Sequence, residues 1–553
     1  MVNSSEQETA QIGLSVRDGI KRPTLEPAIQ FGAWPQLGAK RARGSGEITI
    51  MRSGSVVVVG AGIGGLACAA TLAARGLDVT VLEAASGPGG RMRETFPGGV
   101  PVDSGPTVLT LVSVFEELFA QTGERLAEHL TLDPLEVLAR HAWSADERLD
   151  LFADHARSVE AIRAFAGDRE AAGFERFCQD ARRLYGGLYR PFMRAQRPAL
   201  FQFAAHLGPL RAFQLRAGQP FASLWSALGR YFKDPRLHQL FGRYATYVGS
   251  LPFASPAVLM LIAEVELHGV FAVRGGMARL ARALEDLCIR RGVRFEYGQR
   301  VCQIHLEDKR VVAVECAEGQ RFAATEVVYN GNPGVLCEGA LGADLRAATP
   351  VPEAARASMS ALTYAWRANT RDFPLAYHTV FFSSNYADEF SQLFGARKLP
   401  AEPTVYVCAQ DRATSFTGTQ PERLFAIINA PALARDTHPT APHGKDDSAL
   451  LDSQTAAREG AMALMQRCGL KMDILDERRT GPAEFSALFP GNGGAIYGQA
   501  CHGWNAPFLR PSARSAIRGL YLTGGSVHPG PGVPMVAISG QLAAEALLFD
   551  RTR

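Results

Sequence analysis

The sequence contains a short run of glycines whose spacing is suited to binding a pyrophosphate. Residues 60–65 read Gly-Ala-Gly-Ile-Gly-Gly, which matches G-x-G-x-x-G. In this pattern Gly60 allows a tight turn, Gly62 lets the backbone approach the phosphates, and Gly65 lets a helix pack closely on the preceding strand. The first N–H groups of that helix and its positive dipole end favour an anion. The predicted phosphate-binding residues are Gly60, Gly62, Ile63, Gly64 and Gly65.

The elements that must position this glycine loop (residues 60–65) are present on both sides of it. Residues 56–59 are four valines, as expected of a buried parallel strand, and residues 66–75 have an alanine-rich helical pattern. Residues 79–82 predict a second strand, which ends at Glu83. A carboxylate at this point accepts hydrogen bonds from ribose hydroxyls and disfavours a 2′-phosphate, so FAD or NAD is favoured over NADP. The alternative is a glycine turn with a purely structural role.

A second glycine-rich segment follows the acid almost at once. Gly87-Pro88-Gly89-Gly90-Arg91 would bring backbone close to the dinucleotide at Gly90, and Arg91 would reach a phosphate or the flavin region of FAD. A solvated surface arginine is the alternative for Arg91. The segment therefore adds Gly90 and Arg91 to the predicted cofactor site.

The segment near the C-terminus is dense in glycine and proline. Residues 520–535 predict a strand, then a rigid loop that must approach something flat, and residues 534–548 predict a closing helix. If that flat object is an isoalloxazine ring, the N-terminus of the helix would point at its pyrimidine end and stabilise the anionic reduced flavin. The predicted contacts here are Gly525, Pro534 and Met535.

These motifs resemble those of the large flavoprotein family that contains amine oxidases and carotenoid desaturases. Asp103-Ser104-Gly105-Pro106-Thr107 is similar to part of its N-terminal signature, and Gly275-Gly276-Met277 is similar to the return to its cofactor domain. The resemblance extends over residues 55–548 and implies FAD as the cofactor, with a backbone contact from Val301 to the adenine. Strand packing by Val301 is the alternative. Amine oxidases usually carry a Glu in the last flavin motif, whereas Thr523-Gly524-Gly525-Ser526 has no acid.

The C-terminal string is most similar to that of bacterial phytoene-type desaturases, in the branch that acts on hydroxylated or methoxylated acyclic carotenoids. Residues 243–249, 381–386 and 495–498 fit the same branch. The resemblance to these hydroxyneurosporene or methoxyneurosporene desaturases implies 3,4-dehydrogenation of a 1-hydroxyneurosporene-type carotenoid. The alternatives are phytoene desaturation, carotenoid isomerisation and an amine or protoporphyrinogen oxidase. Rab GDP-dissociation inhibitors, which share the fold without flavin catalysis, are a further alternative.

The chemistry implied by this resemblance needs little help from side chains. Hydride would leave an allylic carbon for flavin N5, and a proton would leave the neighbouring carbon. The sequence assigns no catalytic base; His528 is a catalytic candidate, and a structural role in holding the glycine-proline loop is the alternative. A quinone or O₂ would accept the electrons, because the sequence shows no NAD site for a nicotinamide acceptor.

The segment from Arg182 to Arg243 is basic and aromatic, with eleven Lys and Arg residues against one acid, Asp234. Such a surface suits the headgroup region of an anionic membrane, from which an enzyme would collect a water-insoluble carotenoid. A buried helical core with solvated arginines is the alternative. No motif supports a nucleic-acid partner. Without a signal-peptide pattern or an apolar run of transmembrane length, we expect a bacterial cytoplasmic protein bound peripherally to the inner, photosynthetic membrane.

The overall composition indicates which partners and metal sites the chain is expected to lack. The 553 residues include 58 basic and 55 acidic side chains, so the net charge of +3 points to no charged partner. The nine cysteines form no CxxC pair and no Cys/His spacing suited to zinc. We therefore expect reduced core cysteines and no metal.

The predicted fold class is α/β, with a Rossmann-type FAD/NAD(P)-binding domain and an inserted mixed α+β substrate domain. Residues 1–52 are expected to be a disordered tail or a non-native extension, with Met51 as an alternative start. We expect the FAD-binding domain to comprise residues 53–107, 270–340 and 485–553, and the substrate domain, with its membrane-facing part, to comprise residues 108–269 and 341–484.

Overall fold

The computed structural model describes residues 55–196, 222–349, 357–413, 420–433 and 447–553, the last range with side chains from residue 453 onward. The expected tail or extension at residues 1–52 lies outside these ranges. Residues 197–221 of the basic and aromatic segment lie outside them as well.

Strands form mainly where β-branched and aromatic residues are frequent. In chain order they are β1 (Val56–Val59), β2 (Val79–Glu83), β3 (Glu94–Thr95), β4 (Val102–Asp103), β5 (Leu132–Pro134), β6 (Val137–Ala142), β7 (Arg148–Phe152), β8 (Phe271–Val273), β9 (Arg294–Tyr297), β10 (Val301–Glu307), β11 (Arg310–Cys316), β12 (Arg321–Ala323), β13 (Glu326–Tyr329), β14 (Ser360–Arg371), β15 (His378–Phe381), β16 (Val405–Ala409), β17 (Glu422–Ala430), β18 (Lys471–Thr480) and β19 (Leu520–Leu522).

Helices form where apolar residues recur at the helical period. In chain order they are α1 (Ile63–Ala73), α2 (Ser113–Gln121), α3 (His155–Ala166), α4 (Asp168–Leu188), α5 (Leu224–Leu228), α6 (Pro235–Gly242), α7 (Leu261–Leu267), α8 (Ala278–Arg290), α9 (Pro333–Cys337), α10 (Tyr386–Phe390), α11 (Asp447–Arg467), α12 (Pro482–Leu488) and α13 (Val533–Arg551). Between α6 and α7 the chain forms two 3₁₀ turns, Arg243–Val248 and Ala257–Met260.

A five-stranded parallel sheet carries the glycine loop, with strand order β19-β13-β1-β2-β9. Alternate residues of β1 enter different cores: Val56 and Val58 pack with residues of α1, α8 and α13, whereas Val57 packs with the β10-β11-β12 sheet. Both faces are covered, which explains why β1 is a continuous apolar run rather than an alternating one. This architecture confirms the prediction of a Rossmann-type domain.

A seven-stranded mixed sheet forms the second part of the described chain, with strand order β18-β14-β17-β16-β15-β6-β7. Neighbouring strands are antiparallel except β15 and β6, which are parallel. One face packs residues of α11, and the other packs residues of α3 to α7 and α10. This sheet and its helices confirm the mixed α+β part of the predicted fold class.

Residues 108–260 form strands as well as helices. They contribute β6 and β7, which join a sheet otherwise built from residues 360–480. At the opposite edge, β18 carries six charged side chains and lacks a regular apolar face. It forms because its backbone pairs with β14, a long-range contact that local hydrophobic pattern does not reveal.

Helix α13 has the length and apolar composition to cross a membrane, and it is the only described helix that does. Most of it is buried against α1, where a Cβ atom on Gly540 would lie 2.2 Å from the carbonyl oxygen of Gly64. This packing identifies α13 as a core helix of the cofactor-side layer. All nine cysteines are free; seven are buried, Cys337 is half-buried, and Cys302 departs from the expected core location because it is exposed.

Candidate active site

The glycine loop lies at the carboxyl edge of the parallel sheet, where β1 ends. The N–H of Gly60 donates to the carbonyl oxygen of Leu82 at 2.7 Å, and Gly60 has a φ of +99°. A Cβ atom on Gly65 would lie 2.1 Å from the carbonyl oxygen of Gly60. The predicted reason for Gly65, close packing of helix on strand, is therefore present in the structure.

Helix α1 begins directly after Gly62, and no side chain caps its N-terminus. The first N–H groups of a helix have no acceptor within it, so they need an acceptor from elsewhere. Gly62 and Ile63 line a large cavity, whereas Gly64 and Gly65 lie behind them. The structure thus presents an uncapped helix N-terminus to the cavity, as an anion site requires.

Glu83 lies at the end of β2 and also lines the cavity. Its carboxylate accepts hydrogen bonds from the N–H groups of Ala61 at 2.7 Å and Ala85 at 2.8 Å. Each carboxylate oxygen keeps a further lone pair for a ribose hydroxyl. Glu83 therefore fixes the start of the glycine loop and still has the capacity predicted for it.

The second glycine-rich segment crosses the first, as the sequence predicted. The N–H of Gly89 donates to the carbonyl oxygen of Ala61 at 2.9 Å. A Cβ atom on Gly90 would lie 3.2 Å from the Cα of Gly62. Only a residue without a side chain allows the two backbones to approach this closely at the cavity.

Arg91 is enclosed rather than solvated. Its guanidinium donates to the carbonyl oxygens of Ile496 and Ala495 and lies 5.2 Å from the ring centroid of Phe489. Burial lowers the pKa of Arg91 to about 10, which leaves it charged at neutral pH. Arg91 therefore places a permanent positive charge in the cavity wall.

Val301 begins β10 and lines the same end of the cavity as Glu83. The chain reaches it through Gln299, whose N–H donates to the carbonyl oxygen of Glu83 at 2.8 Å. The side-chain carbonyl of Gln299 is buried with no partner among the described residues. This end of the cavity therefore combines a carboxylate, an unpaired carbonyl and the Val301 backbone.

The C-terminal loop forms the other end, where Gly525, Pro534 and Met535 line the cavity. Helix α13 begins after Gly532, again without a side-chain cap. The guanidinium of Arg510 supports the loop by donating to the carbonyl oxygens of Gly525 and Tyr497, each at 3.2 Å. Arg510 was not predicted, because a single arginine in a loop matches no sequence motif.

His528 belongs to this loop but does not line the cavity. Its ring Nε2 lies 2.8 Å from the carbonyl oxygen of Phe192, and Phe192 does line the cavity. Burial lowers the pKa of His528 to about 4. These contacts favour the structural alternative, in which His528 holds the C-terminal loop against the cavity wall.

One continuous cavity of about 2490 Å³ extends from Glu83 past Gly525 into the layer below the seven-stranded sheet. Pockets for ligands of ordinary size occupy roughly 300–1,000 Å³. The cavity therefore has room for an extended dinucleotide and a second long ligand. Much of its wall is apolar and includes Val248, Leu259, Ile262, Val265, Phe425 and Ile427.

Polar side chains interrupt this apolar wall at one place. The hydroxyl of Tyr247 accepts a hydrogen bond from Arg243 Nη1 at 3.2 Å and donates to Glu266 Oε1 at 3.0 Å. Tyr244 donates to Glu266 Oε2 at 2.8 Å. Burial raises the pKa of Glu266, and the hydrogen bonds from both tyrosines limit the rise. Arg243, Tyr247 and Glu266, here called the polar cluster, all line the cavity.

Comparison with known proteins assigns the chain to a family. Residues 63–548 match the family described as flavin containing amine oxidoreductase. The chain belongs to this family. It is 50% identical to the hydroxyneurosporene desaturase of Rubrivivax gelatinosus over 502 residues, which are 90% of this chain and 94% of that protein. It is 44% identical to the hydroxyneurosporene desaturase of Cereibacter sphaeroides over 498 residues, 90% of this chain and 97% of that protein.

Solved structures of the same fold support the architecture. Cyclohexylamine oxidase from Brevibacterium oxydans superimposes with a TM-score of 0.52 at 14% identity, covering 91% of this chain and 100% of that one. A triple mutant of putrescine oxidase superimposes with a TM-score of 0.57 at 14% identity, covering 90% and 99%. At this identity the likeness concerns the fold alone, and it confirms the predicted fold class.

Family membership confirms the predictions of a flavin cofactor and of an oxidoreductase, and the dinucleotide loop identifies the flavin as FAD. The residues of the cavity fit this group. Two uncapped helix N-termini, of α1 and α13, face one cavity, and the unpaired carbonyl of Gln299 lies beside Glu83. Glu83 and Val301 would hold the adenosine end, α1 the pyrophosphate, and Gly525, Pro534 and Met535 the isoalloxazine end.

Proposed function

We propose that this flavoenzyme desaturates a hydroxylated acyclic carotenoid, by 3,4-dehydrogenation of a 1-hydroxyneurosporene-type substrate. The observation that carries the proposal is a cavity large and apolar enough for a polyene beside the glycine loop, in a chain 50% identical to a hydroxyneurosporene desaturase. The absence of an acid at residues 523–526 supports this function over amine oxidation.

We propose two functional parts within the chain. Residues 53–107, 270–340 and 485–553 would hold FAD, because they supply the five-stranded sheet, the glycine loop and the C-terminal loop. Residues 108–269 and 341–484 would hold the polyene, because they supply the seven-stranded sheet and most of the apolar wall.

The residues of the chain orient and enclose the reactants. Bound FAD supplies the two-electron acceptor for the reaction. The uncapped N-terminus of α13 presents its positive dipole end at Pro534 and Met535, where it stabilises negative charge. Arg510 and His528 keep the C-terminal loop in place. The apolar wall excludes water, which would otherwise add to an electron-deficient polyene.

We propose that the polyene enters from a membrane surface, with the protein bound peripherally on its cytoplasmic side. Leu488 and Trp504 line the cavity and are 51% and 44% exposed, which gives its opening an apolar rim. The described arginines of the basic segment supply weaker support, because Arg182 pairs with Glu264 and Arg236 with Asp234. For the electrons we propose a quinone or O₂, since the sequence contains no second dinucleotide loop.

The test is conversion by the purified full-length chain, loaded with FAD and supplied with 1-hydroxyneurosporene in liposomes containing a quinone. We expect a product with one more conjugated double bond, seen by chromatography as a red-shifted spectrum. Conversion of phytoene alone would move the enzyme to an earlier desaturation step. Conversion of neither, in protein with full flavin content, would contradict carotenoid desaturation.

A further inference from the structure

The polar cluster is costly in a cavity whose occupant is a hydrocarbon. Among the described residues, the guanidinium of Arg243 makes a single hydrogen bond, from Nη1 to the hydroxyl of Tyr247. Its guanidinium also lies over the rings of Tyr247 and Tyr406, with Cζ 5.3 and 5.5 Å from their centroids. The remaining N–H groups have no protein acceptor in the described chain, and a guanidinium enclosed without acceptors is strongly unfavourable.

Glu266 acts on Arg243 indirectly, through the hydroxyl of Tyr247. The carboxylate holds the proton of Tyr247, so the hydroxyl oxygen of Tyr247 faces Arg243 as an acceptor. Tyr244 occupies the other carboxylate oxygen. A phenol oxygen has two lone pairs, of which Arg243 uses one. The cluster therefore offers a ligand free donors on Arg243 and one free acceptor on Tyr247.

The turn that carries Arg243 and Tyr247 ends one side chain away from the loop assigned to the flavin. A Cβ atom on Gly249, which ends the 3₁₀ turn containing Arg243, would lie 2.4 Å from the ring of Tyr497. The carbonyl oxygen of Tyr497 shares the guanidinium of Arg510 with that of Gly525. Tyr497 thus connects the end of the turn that carries Arg243 and Tyr247 to the C-terminal loop, and it is near enough to Arg243 for that charge to act on it.

We propose that the polar cluster binds the substrate hydroxyl and selects hydroxylated polyenes. The inference rests on the proposed function. Arg243 donates to the hydroxyl oxygen, and Tyr247 accepts the hydroxyl proton. In a 1-hydroxy polyene oxidised between C3 and C4, three covalent bonds separate the oxygen from C3. A group that binds the oxygen must therefore lie beside the flavin rather than at the far end of the cavity. The turn that carries Arg243 and Tyr247 meets this condition, because it ends against Tyr497, next to the loop assigned to the flavin.

This arrangement discriminates more strongly than apolar contacts can. A polyene without the hydroxyl leaves Arg243 and Tyr247 unpaired in a dry site, and such sites reject analogues that lack the polar group. A methoxylated polyene accepts from Arg243 but donates nothing to Tyr247. The expected order of kcat/KM is hydroxylated above methoxylated, and methoxylated above unsubstituted.

The experiment measures kcat/KM of the FAD-loaded full-length protein for 1-hydroxyneurosporene and for neurosporene in the same liposomes. In Arg243→Met we expect the ratio of the two values to fall about 10- to 100-fold, as for loss of a hydrogen bond to a charged group. In Tyr247→Phe we expect a fall of about 3- to 10-fold, as for a neutral hydrogen bond. The red shift of bound polyene absorbance gives the two dissociation constants directly, and their ratio should change in parallel.

The matched control is Arg230→Met. Arg230 also lines the cavity and lies 5.8 Å from a tyrosine ring, that of Tyr231, but it is exposed and outside the polar cluster. If Arg230→Met alters the delivery of polyenes to the cavity, it alters both substrates alike. The ratio of the two kcat/KM values should therefore stay at the wild-type level. The flavin content of each variant shows whether that variant is folded. If Arg243→Met does not fold, the change of the kcat/KM ratio in Tyr247→Phe tests the proposal.

The outcomes separate the two proposals. A wild-type protein that converts both polyenes equally would overturn hydroxyl selection and leave desaturation standing. Equal loss of both activities in the folded variants would overturn it as well. A flavin-loaded wild type that converts and binds neither polyene would overturn the proposed function and this inference together.

Discussion

The glycine loop faces its ligand with backbone, whereas the polar cluster faces its ligand with side chains. In the loop, N–H groups at the start of α1 and the bare Cα of Gly62 line the cavity. In the polar cluster, the guanidinium of Arg243 and the phenol of Tyr247 line the cavity. A backbone site requires that side chains be absent, so the addition of one methyl group is damaging. At a side-chain site, a substitution leaves the fold intact and changes the substrate specificity.

The two regions also differ in how they are assembled. The glycine loop, Glu83 and Arg91 lie within 32 residues of each other along the chain. Arg243 lies in a 3₁₀ turn and Glu266 in helix α7, and the two meet through Tyr247. Tyr497, which packs on Gly249 at the end of that turn, comes from more than 200 residues away. Predictions at each region test whether this contrast holds.

The largest effect is expected at the glycine loop. In Gly65→Ala, a Cβ atom 2.1 Å from the carbonyl oxygen of Gly60 must displace α1 from the sheet. We expect a cost of about 3 kcal/mol or more and loss of retained flavin. The measurement is flavin absorbance per protein after gel filtration. Gly87→Ala is the matched control, because a Cβ there meets nothing within 4 Å; wild-type flavin content in Gly65→Ala would contradict the close packing.

A side chain within the backbone site should have a smaller effect. Glu83→Ala removes the ribose acceptor and leaves the N–H of Ala61 without its partner. We expect the Kd for FAD to rise about 10- to 100-fold, in keeping with about 1.5–3 kcal/mol for a hydrogen bond to a charged group. Flavin fluorescence titration of the apoprotein measures this Kd. Glu83→Gln keeps an acceptor and should bind more tightly than Glu83→Ala; equal, wild-type affinity in both would argue against Glu83 as a cofactor residue.

The smallest expected effect is a pH dependence of the free energy of unfolding, caused by His378 beside Tyr406. His378 Nδ1 lies 2.7 Å from the hydroxyl of Tyr406, and burial, aided by the charge of Arg243, lowers the pKa of His378 to about 3. The folded state thus lacks a proton that the unfolded state binds below about pH 6.5, so stability falls as pH falls through that value. Between about pH 7.5 and 5.5 this histidine should remove about 1.4 kcal/mol of unfolding free energy.

Urea unfolding at the two pH values measures this contribution. His378→Gln should be about 1.4 kcal/mol less sensitive to the change than the wild type. His268→Gln is the control, because His268 is exposed and lies on the surface. A wild-type pH response in His378→Gln would show that His378 is protonated in the folded protein.

The parts of the fold that the sequence predicted are those with local causes. Strands β1 and β2 lie where residues 56–59 and 79–82 predicted them. Strands β6 and β18 were not predicted, because β6 pairs with β15 and β18 pairs with β14, each far away in sequence. Strand β7 was missed together with β6, its hairpin partner at the edge of the sheet. The same limit applies to His528, whose contact with Phe192 crosses 336 residues.

The sequence by itself determined the cofactor, because the glycine loop, Glu83 and Arg91 are fixed by short-range rules: where a turn must be tight, where backbone must approach a phosphate, and where an acid must end a strand. The tertiary structure alone decided what surrounds the polyene. Whether Arg243 is a solvated cation or one donor of an enclosed cluster depends on where Glu266 and Tyr497 lie in space. Pairing of distant strands sets those positions, and no local pattern encodes them.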